Sequence, residues 1–129
     1  MKSTKIIYWV TTAIISLMMV YSAYAYLTQQ ALEMAFQHLG YPQYFRVELA
    51  IAKLVGAALL LAPVGARIKE WTYAGFAFTF VSAAIAHNIS GDPAMASVMP
   101  VIFLAVLVGS YVTYNKICKV SYYSDSVAK

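Results

Sequence analysis

Charged residues divide the chain into four long apolar segments, with apolar cores at residues 6–27, 45–62, 71–90 and 96–115. A helix needs about 20 apolar residues to cross the hydrocarbon core of a bilayer. Each segment is about that long, although the second contains Glu48 and Lys53. The pattern predicts an all-α, four-span transmembrane helix bundle, formed by one domain over residues 1–129.

The segment between the first two spans predicts a short helix in the membrane interface, within residues 28–39. Its apolar side chains recur at helical spacing and gather on one side; they are Ala31, Leu32, Ala35, Phe36 and Leu39. Gly40 and Pro42 follow and end the helix, because glycine frees the backbone and proline cannot continue a helix.

The two ends of the chain carry different predictions. The polar residues 121–129 are expected to fray. The N-terminal end has two lysines, an apolar run and Ala23-Tyr24-Ala25, which is also the pattern of a secretory signal peptide with its cleavage site. The apolar run exceeds the usual signal-peptide length of about 7–15 residues. We therefore favour an uncleaved first span, with cleavage as the alternative.

The composition supports a membrane protein. Hydrophobic residues make up 62% of the 129 positions and charged residues 11%, against about 45–50% and 25% in soluble domains. So small and apolar a chain cannot cover its surface with polar groups, which disfavours a soluble enzyme, a nucleic-acid-binding module or a disordered regulator. The single cysteine, Cys118, excludes an intramolecular disulfide and a CxxC redox motif.

The basic residues orient the predicted bundle. With the N-terminus in the cytoplasm, seven of the nine Lys and Arg lie inside: Lys2, Lys5, Arg67, Lys69, Lys116, Lys119 and Lys129. Cytoplasmic loops carry such an excess of positive charge. Four spans then place both termini in the cytoplasm, residues 67–70 form a cytoplasmic loop with Trp71 as an anchor, and we expect a multi-pass protein of the cytoplasmic (inner) membrane.

In this topology the ionisable residues of the spans fall in the outer half of the bundle. We expect a polar pocket there, lined by Glu48, Lys53, His87, Asp92 and His38, with the second and third spans as neighbours. No metal site is predicted, since no second ligand motif accompanies the histidine of the third span. No catalytic residue can be assigned.

Lys53 is the most informative of these residues. A lysine at mid-membrane costs about 2.5–3.5 kcal/mol on insertion scales, so its side chain should face the interior and find a partner. One interpretation is a donor to a bound ligand, such as a quinone carbonyl or an anion; the other is a structural lysine paired with a carboxylate. Glu48 either pairs with Lys53, Arg46 or His87 or caps its helix, and His87 is either a proton relay or quinone ligand or a structural histidine.

Three stretches resemble the DoxX-like family of small four-helix membrane proteins: GYPQYFRVELAIAKLVGAALLL (40–61), IKEWTYAGFAFTFVSAAIAH (68–87) and GDP (91–93). The resemblance implies the same fold and marks Lys53, Trp71, His87 and Asp92 as family-pattern positions. The wider family is named after a small membrane subunit of a thiosulfate:quinone oxidoreductase, and more distant relatives are linked to chaperoning of membrane proteins. The resemblance implies no established catalytic role for the four family-pattern residues.

Three functions stay open. The leading hypothesis is a small membrane subunit of a redox-linked assembly that binds quinone but has no redox centre or covalent cofactor of its own, and so is not a stand-alone enzyme. Its partners would be the lipid bilayer and oxidoreductase subunits, with no nucleic acid. The rivals are a carrier or permease acting as a homo-oligomer, and a non-catalytic scaffold or assembly factor.

Overall fold

The computed structural model describes residues 2–128, which form five helices and no strand. The helices are α1 (Lys2–Thr28), α2 (Gln30–His38), α3 (Gln43–Leu61), α4 (Ala66–Ile89) and α5 (Ala94–Ala128). Four of them are long and correspond to the four predicted spans, and α2 is the predicted short helix. The all-α fold is therefore confirmed.

Two of the helices can cross a membrane by length and composition. These are α1, with a mean hydropathy of 1.7 over its most apolar window, and α5, with 2.1. Helix α3 carries Arg46, Glu48 and Lys53, and α4 begins with three charged residues in its first five. Membrane crossing by α3 and α4, and with it the cytoplasmic position of both termini, stays a prediction.

The long helices form a four-sided bundle in which α1 lies between α3 and α5, and α4 packs on α5. Helices α3 and α4 touch, as predicted for the second and third spans, but this is the most open side of the bundle. At one close point, Gly56 of α3 faces the ring of Phe76 of α4. Most of the inward face of α3 packs on α1 instead, so partners for its polar residues come mainly from α1.

The core lies between the four long helices, and two of its members, Met19 and Phe80, reach a cavity that α2 covers. It contains fully or almost fully buried hydrophobic side chains from all four long helices; the largest members are Ile15, Met19, Leu60, Tyr73, Phe76, Phe80 and Leu107. Close packing of such side chains gains van der Waals contacts between the helices and fixes them side by side.

Two boundary predictions are wrong. Residues 67–70 are not a loop, because α4 already begins at Ala66 after the short Pro63-Val64-Gly65 connection, and Lys69 is buried. Residues 121–128 do not fray, because α5 continues to Ala128. No glycine or proline occurs between residues 110 and 128 to end that helix.

Candidate functional site

A cavity of about 560 Å³ lies between the long helices at the end of the bundle that α2 covers. All five helices contribute to its lining, which is mostly apolar and rich in aromatic rings such as Phe36, Phe45 and Phe103. The apolar side of α2 faces this space, which explains its predicted amphipathic pattern. Small-molecule sites are typically concave, apolar cavities of about 300–1,000 Å³ with a few polar groups.

Lys53 of α3 is one of those polar groups. Its side chain is buried, with only 6% exposed, and Nζ donates a hydrogen bond to Ser22 Oγ at 2.8 Å. Nζ also lies 3.7 Å from the centroid of the Tyr26 ring, a cation–π contact. Both partners belong to α1, because Ala50 and Ala57 on the same face of α3 are small enough to let α1 approach.

The predicted carboxylate partner of Lys53 is absent from the part of the chain that the structure describes. Glu48 is exposed and makes no hydrogen bond or ion pair with Lys53, Arg46 or His87, so that predicted pairing is wrong. Glu48 lies one and a half turns from Lys53, on a different face of the helix. Arg46 instead donates to the carbonyl of Tyr26 and to Gln43 Oε1, and so caps the C-terminal end of α1.

His87, Asp92 and His38 form a hydrogen-bonded chain at the same end of the bundle. His87 Nδ1 lies 2.7 Å from Asp92 Oδ2, and His38 Nε2 lies 2.9 Å from Asp92 Oδ1. His87 lines the cavity, whereas the side chain of His38 is 58% exposed. The hydrogen bond from His87, followed by that from His38, lowers the pKa of the Asp92 carboxyl. These hydrogen bonds connect α2, α4 and the turn before α5.

The turn after α4 explains why Asp92 meets His87. The amide of Asp92 donates to the carbonyl of His87 and that of Gly91 to the carbonyl of Asn88, the paired bonds of a Schellman motif. Gly91 has a φ of +76°, which the motif requires and which glycine adopts without steric cost. The Gly-Asp sequence therefore folds the carboxylate back over the last turn of α4.

A groove of about 470 Å³ runs along the open side of the bundle between α3 and α4. It is lined mainly by apolar residues and contains the exposed side chains of Glu48 and Trp71. Leu49, Lys53 and Thr79 line both the groove and the cavity. The groove therefore adjoins the cavity on the side of the bundle where the helices are least tightly packed.

The structure brings four of the five predicted site residues together and places the fifth, Glu48, elsewhere. Lys53 and His87 line the cavity, Asp92 and His38 are linked to it through His87, and Glu48 lies in the groove. Ser22 and Tyr26, which hold the Lys53 side chain, are not singled out by the sequence pattern. A serine and a tyrosine one turn apart on one face of the first span are the signal that could have found them.

A second polar cluster lies at the opposite end of the bundle and is also missed by the sequence pattern. Ser110 Oγ is 2.7 Å from Thr12 Oγ1 and 2.7 Å from Tyr73 Oη, so a buried serine joins α1, α4 and α5. Lys69 is buried nearby and donates to the carbonyl of Leu60 at the end of α3. The sequence pattern predicts Lys69 in a loop outside the spans, whereas its side chain is buried within the bundle.

Comparison with known families identifies the chain. The model of the DoxX-like family matches residues 10–110, from the third turn of α1 to the middle of α5. The chain belongs to the DoxX-like family. The matched region contains all of the cavity residues, including Lys53 and His87. No curated protein and no solved structure matches this DoxX-like chain. Family membership and the two apolar helices together indicate a membrane protein.

Proposed function

We propose that this DoxX-like protein binds a lipid-soluble ligand of the quinone type in the cavity, as a small membrane subunit of a redox-linked assembly. The observation that carries the proposal is Lys53, a buried lysine that lines an apolar cavity and has no carboxylate partner among residues 2–128. Ionisable groups buried inside membrane bundles commonly mark ligand or ion sites.

The free donor capacity of Lys53 suits a carbonyl oxygen. An ammonium group has three N–H donors and no acceptor; here one donor goes to Ser22 and the Tyr26 ring faces the charge. A ligand carbonyl in the cavity would accept a further hydrogen bond, of the charge-assisted kind that is stronger than a neutral one. The aromatic lining of the cavity would pack against a flat ring.

The groove supports a ligand that arrives from the lipid phase. It opens along the α3–α4 side and shares Lys53 and Thr79 with the cavity. A long apolar tail can occupy such a groove while the ring lies in the cavity, whereas a water-soluble substrate gains nothing from it. This favours a membrane-borne quinone over a polar metabolite.

The proposal includes the topology predicted from the sequence: four spans, both termini in the cytoplasm, and the cavity in the outer half of the cytoplasmic membrane. The positive-inside distribution of Lys and Arg supports this orientation. We expect electron transfer to take place on partner oxidoreductase subunits, because the sequence contains neither a CxxC nor a CxxCH haem motif.

The test is the thermal stability of the purified protein in detergent, with and without short-tailed ubiquinone and menaquinone analogues. A ligand that binds only the folded state adds about 2.7 kcal/mol of stability at a hundredfold excess over Kd. We expect this stabilisation in the wild type and its loss in Lys53→Met. The matched control is Lys69→Met, which removes a second buried lysine that does not line the cavity.

The change caused by the ligand, not the starting stability of each variant, decides the outcome. Stabilisation in the wild type and in Lys69→Met, but not in Lys53→Met, supports a site at Lys53. No stabilisation of the wild type would contradict the proposal and make Lys53 an architectural residue, as the scaffold hypothesis requires. Equal stabilisation of both variants would place the ligand elsewhere.

A further inference from the structure

His87 presents one particular nitrogen to a ligand. Its Nδ1 is held by Asp92 at 2.7 Å, and His87 lines the cavity. Its Nε2 makes no hydrogen bond to any residue between 2 and 128. Nε2 is therefore the atom of this ring that is left to meet a ligand, and the tautomer of the neutral ring decides which ligand group fits.

Asp92 fixes that tautomer. Its two carboxylate oxygens face ring nitrogens of two different histidines, at 2.7 and 2.9 Å. An ionised carboxylate only accepts hydrogen bonds, and the lowered pKa of Asp92 keeps it ionised at neutral pH. His87 Nδ1 must then carry the hydrogen. In a neutral imidazole with Nδ1–H, Nε2 has a lone pair and acts as an acceptor.

The cavity thus has two polar groups with opposite hydrogen-bonding roles. Lys53 Nζ is a donor and needs an oxygen acceptor, whereas His87 Nε2 is an acceptor and needs an O–H or N–H donor. A quinone has acceptor oxygens only, so at His87 its carbonyl faces a lone pair. Each oxygen of a hydroquinone both donates and accepts, so a hydroxyl of the reduced ring can donate to His87 Nε2 and can also accept from Lys53.

We infer that the cavity binds the reduced, hydroxyl-bearing form of its ligand in preference to the oxidised form, with His87 as the residue that selects it and Asp92 as its positioning residue. This rests on the proposed function, since it specifies which redox form the site takes. The assembly served by this subunit would accordingly draw quinol from the membrane or hold newly formed quinol.

The test compares three related probes on the wild-type protein in detergent, under anaerobic conditions: decylubiquinol, decylubiquinone and the quinol with both hydroxyls methylated. The quinol can donate a buried hydrogen bond to His87 Nε2, and the quinone cannot. This difference predicts about tenfold tighter binding of the quinol than of the quinone. The methylated quinol has no donor, so it should lose the advantage. This comparison needs no substitution.

Variants then assign the preference to residues. His87→Leu should bind quinol and quinone equally, and Asp92→Asn should lower the preference, because an amide can donate to Nδ1 and leave the hydrogen on Nε2. Asp125→Asn, on the exposed end of α5, is the matched control and should keep the tenfold ratio. A change of ratio is not expected from mere loss of stability.

The outcomes separate the two proposals. Equal or tighter binding of the quinone by the wild type, or a preference that survives His87→Leu, overturns the inference and leaves the proposed function standing. Binding of neither redox form overturns the proposed function, and the inference fails with it. A tenfold quinol preference that is lost with His87 and with the methylated probe supports both.

Discussion

Gly56 is the position where a single methyl group should have the clearest effect on the bundle. A Cβ added there would overlap Cζ of Phe76 and would lie 2.9 Å from Cε1 and 3.1 Å from Cε2 of the same ring. Carbon atoms pack at about 3.5–4.0 Å, so the ring would have to move by about 1 Å. Phe76 is buried and stacks on Phe80, with ring centroids 6.3 Å apart. We therefore expect Gly56→Ala to strain the contact between α3 and α4.

The magnitude follows from two opposing contributions. Replacing glycine by alanine in a helix interior normally stabilises it by about 1 kcal/mol. Extra carbon in a well-packed core costs about 1–3 kcal/mol. Gly75→Ala is the matched control, since Gly75 lies within α4 and has nothing within 4 Å of the added Cβ. We expect Gly56→Ala to be less stable than Gly75→Ala by about 1–3 kcal/mol.

The assay is unfolding of both variants in the same detergent, followed by circular dichroism. Phe76→Leu in the Gly56→Ala background removes ring atoms from the contact, so it should recover part of the stability that Gly56→Ala loses. Equal stabilisation by the two alanine substitutions would refute the close approach of α3 and α4 at Gly56. So would a double variant that is no more stable than expected from adding the two single effects.

Two further predictions concern the polar clusters. Ser110→Ala leaves the buried hydroxyls of Thr12 and Tyr73 without their shared partner, and should lower the free energy of unfolding by about 1–3 kcal/mol; the same change at the exposed Ser121 should have no effect in the same unfolding assay. The pKa of Asp92 is lower in the folded protein than in the unfolded chain, where it is about 4. The ionised carboxylate therefore stabilises the fold above about pH 4, and this stabilisation is lost as the pH falls through the lower, folded-state pKa. The difference in melting temperature between wild type and Asp92→Asn should therefore shrink on acidification from about pH 6 to about pH 3; a constant difference would contradict the hydrogen-bonded carboxylate.

Local pattern was enough to predict the helices but not all their ends. Long apolar runs and the amphipathic stretch within residues 28–39 identify the four long helices and α2, because both signals depend only on nearby residues. The start of α4 and the end of α5 are wrong in the prediction, since a charged or polar stretch without glycine or proline continues a helix as readily as it frays.

The site depends on which helices pack against each other, and the sequence pattern does not predict that. Lys53 and His87 are identifiable because ionisable groups stand out in apolar segments. The partners of Lys53, Ser22 and Tyr26, come from α1 because small residues let α1 rather than α4 pack on that face of α3. Asp92 reaches His87 through a local turn, so that pair is readable from Gly91 and its neighbours, whereas the approach of His38 is a matter of tertiary packing.

The most direct test of the central claim is photolabelling with an azido-quinone in native membranes, followed by mass spectrometry of the labelled peptides. A ligand in the cavity predicts labels on cavity residues such as Phe45, Met99 and Phe103, and their loss when excess unlabelled quinone is added. Labels confined to outward-facing residues such as Leu17, which is 71% exposed, and unaffected by competition would show that quinone meets this protein only as bulk lipid.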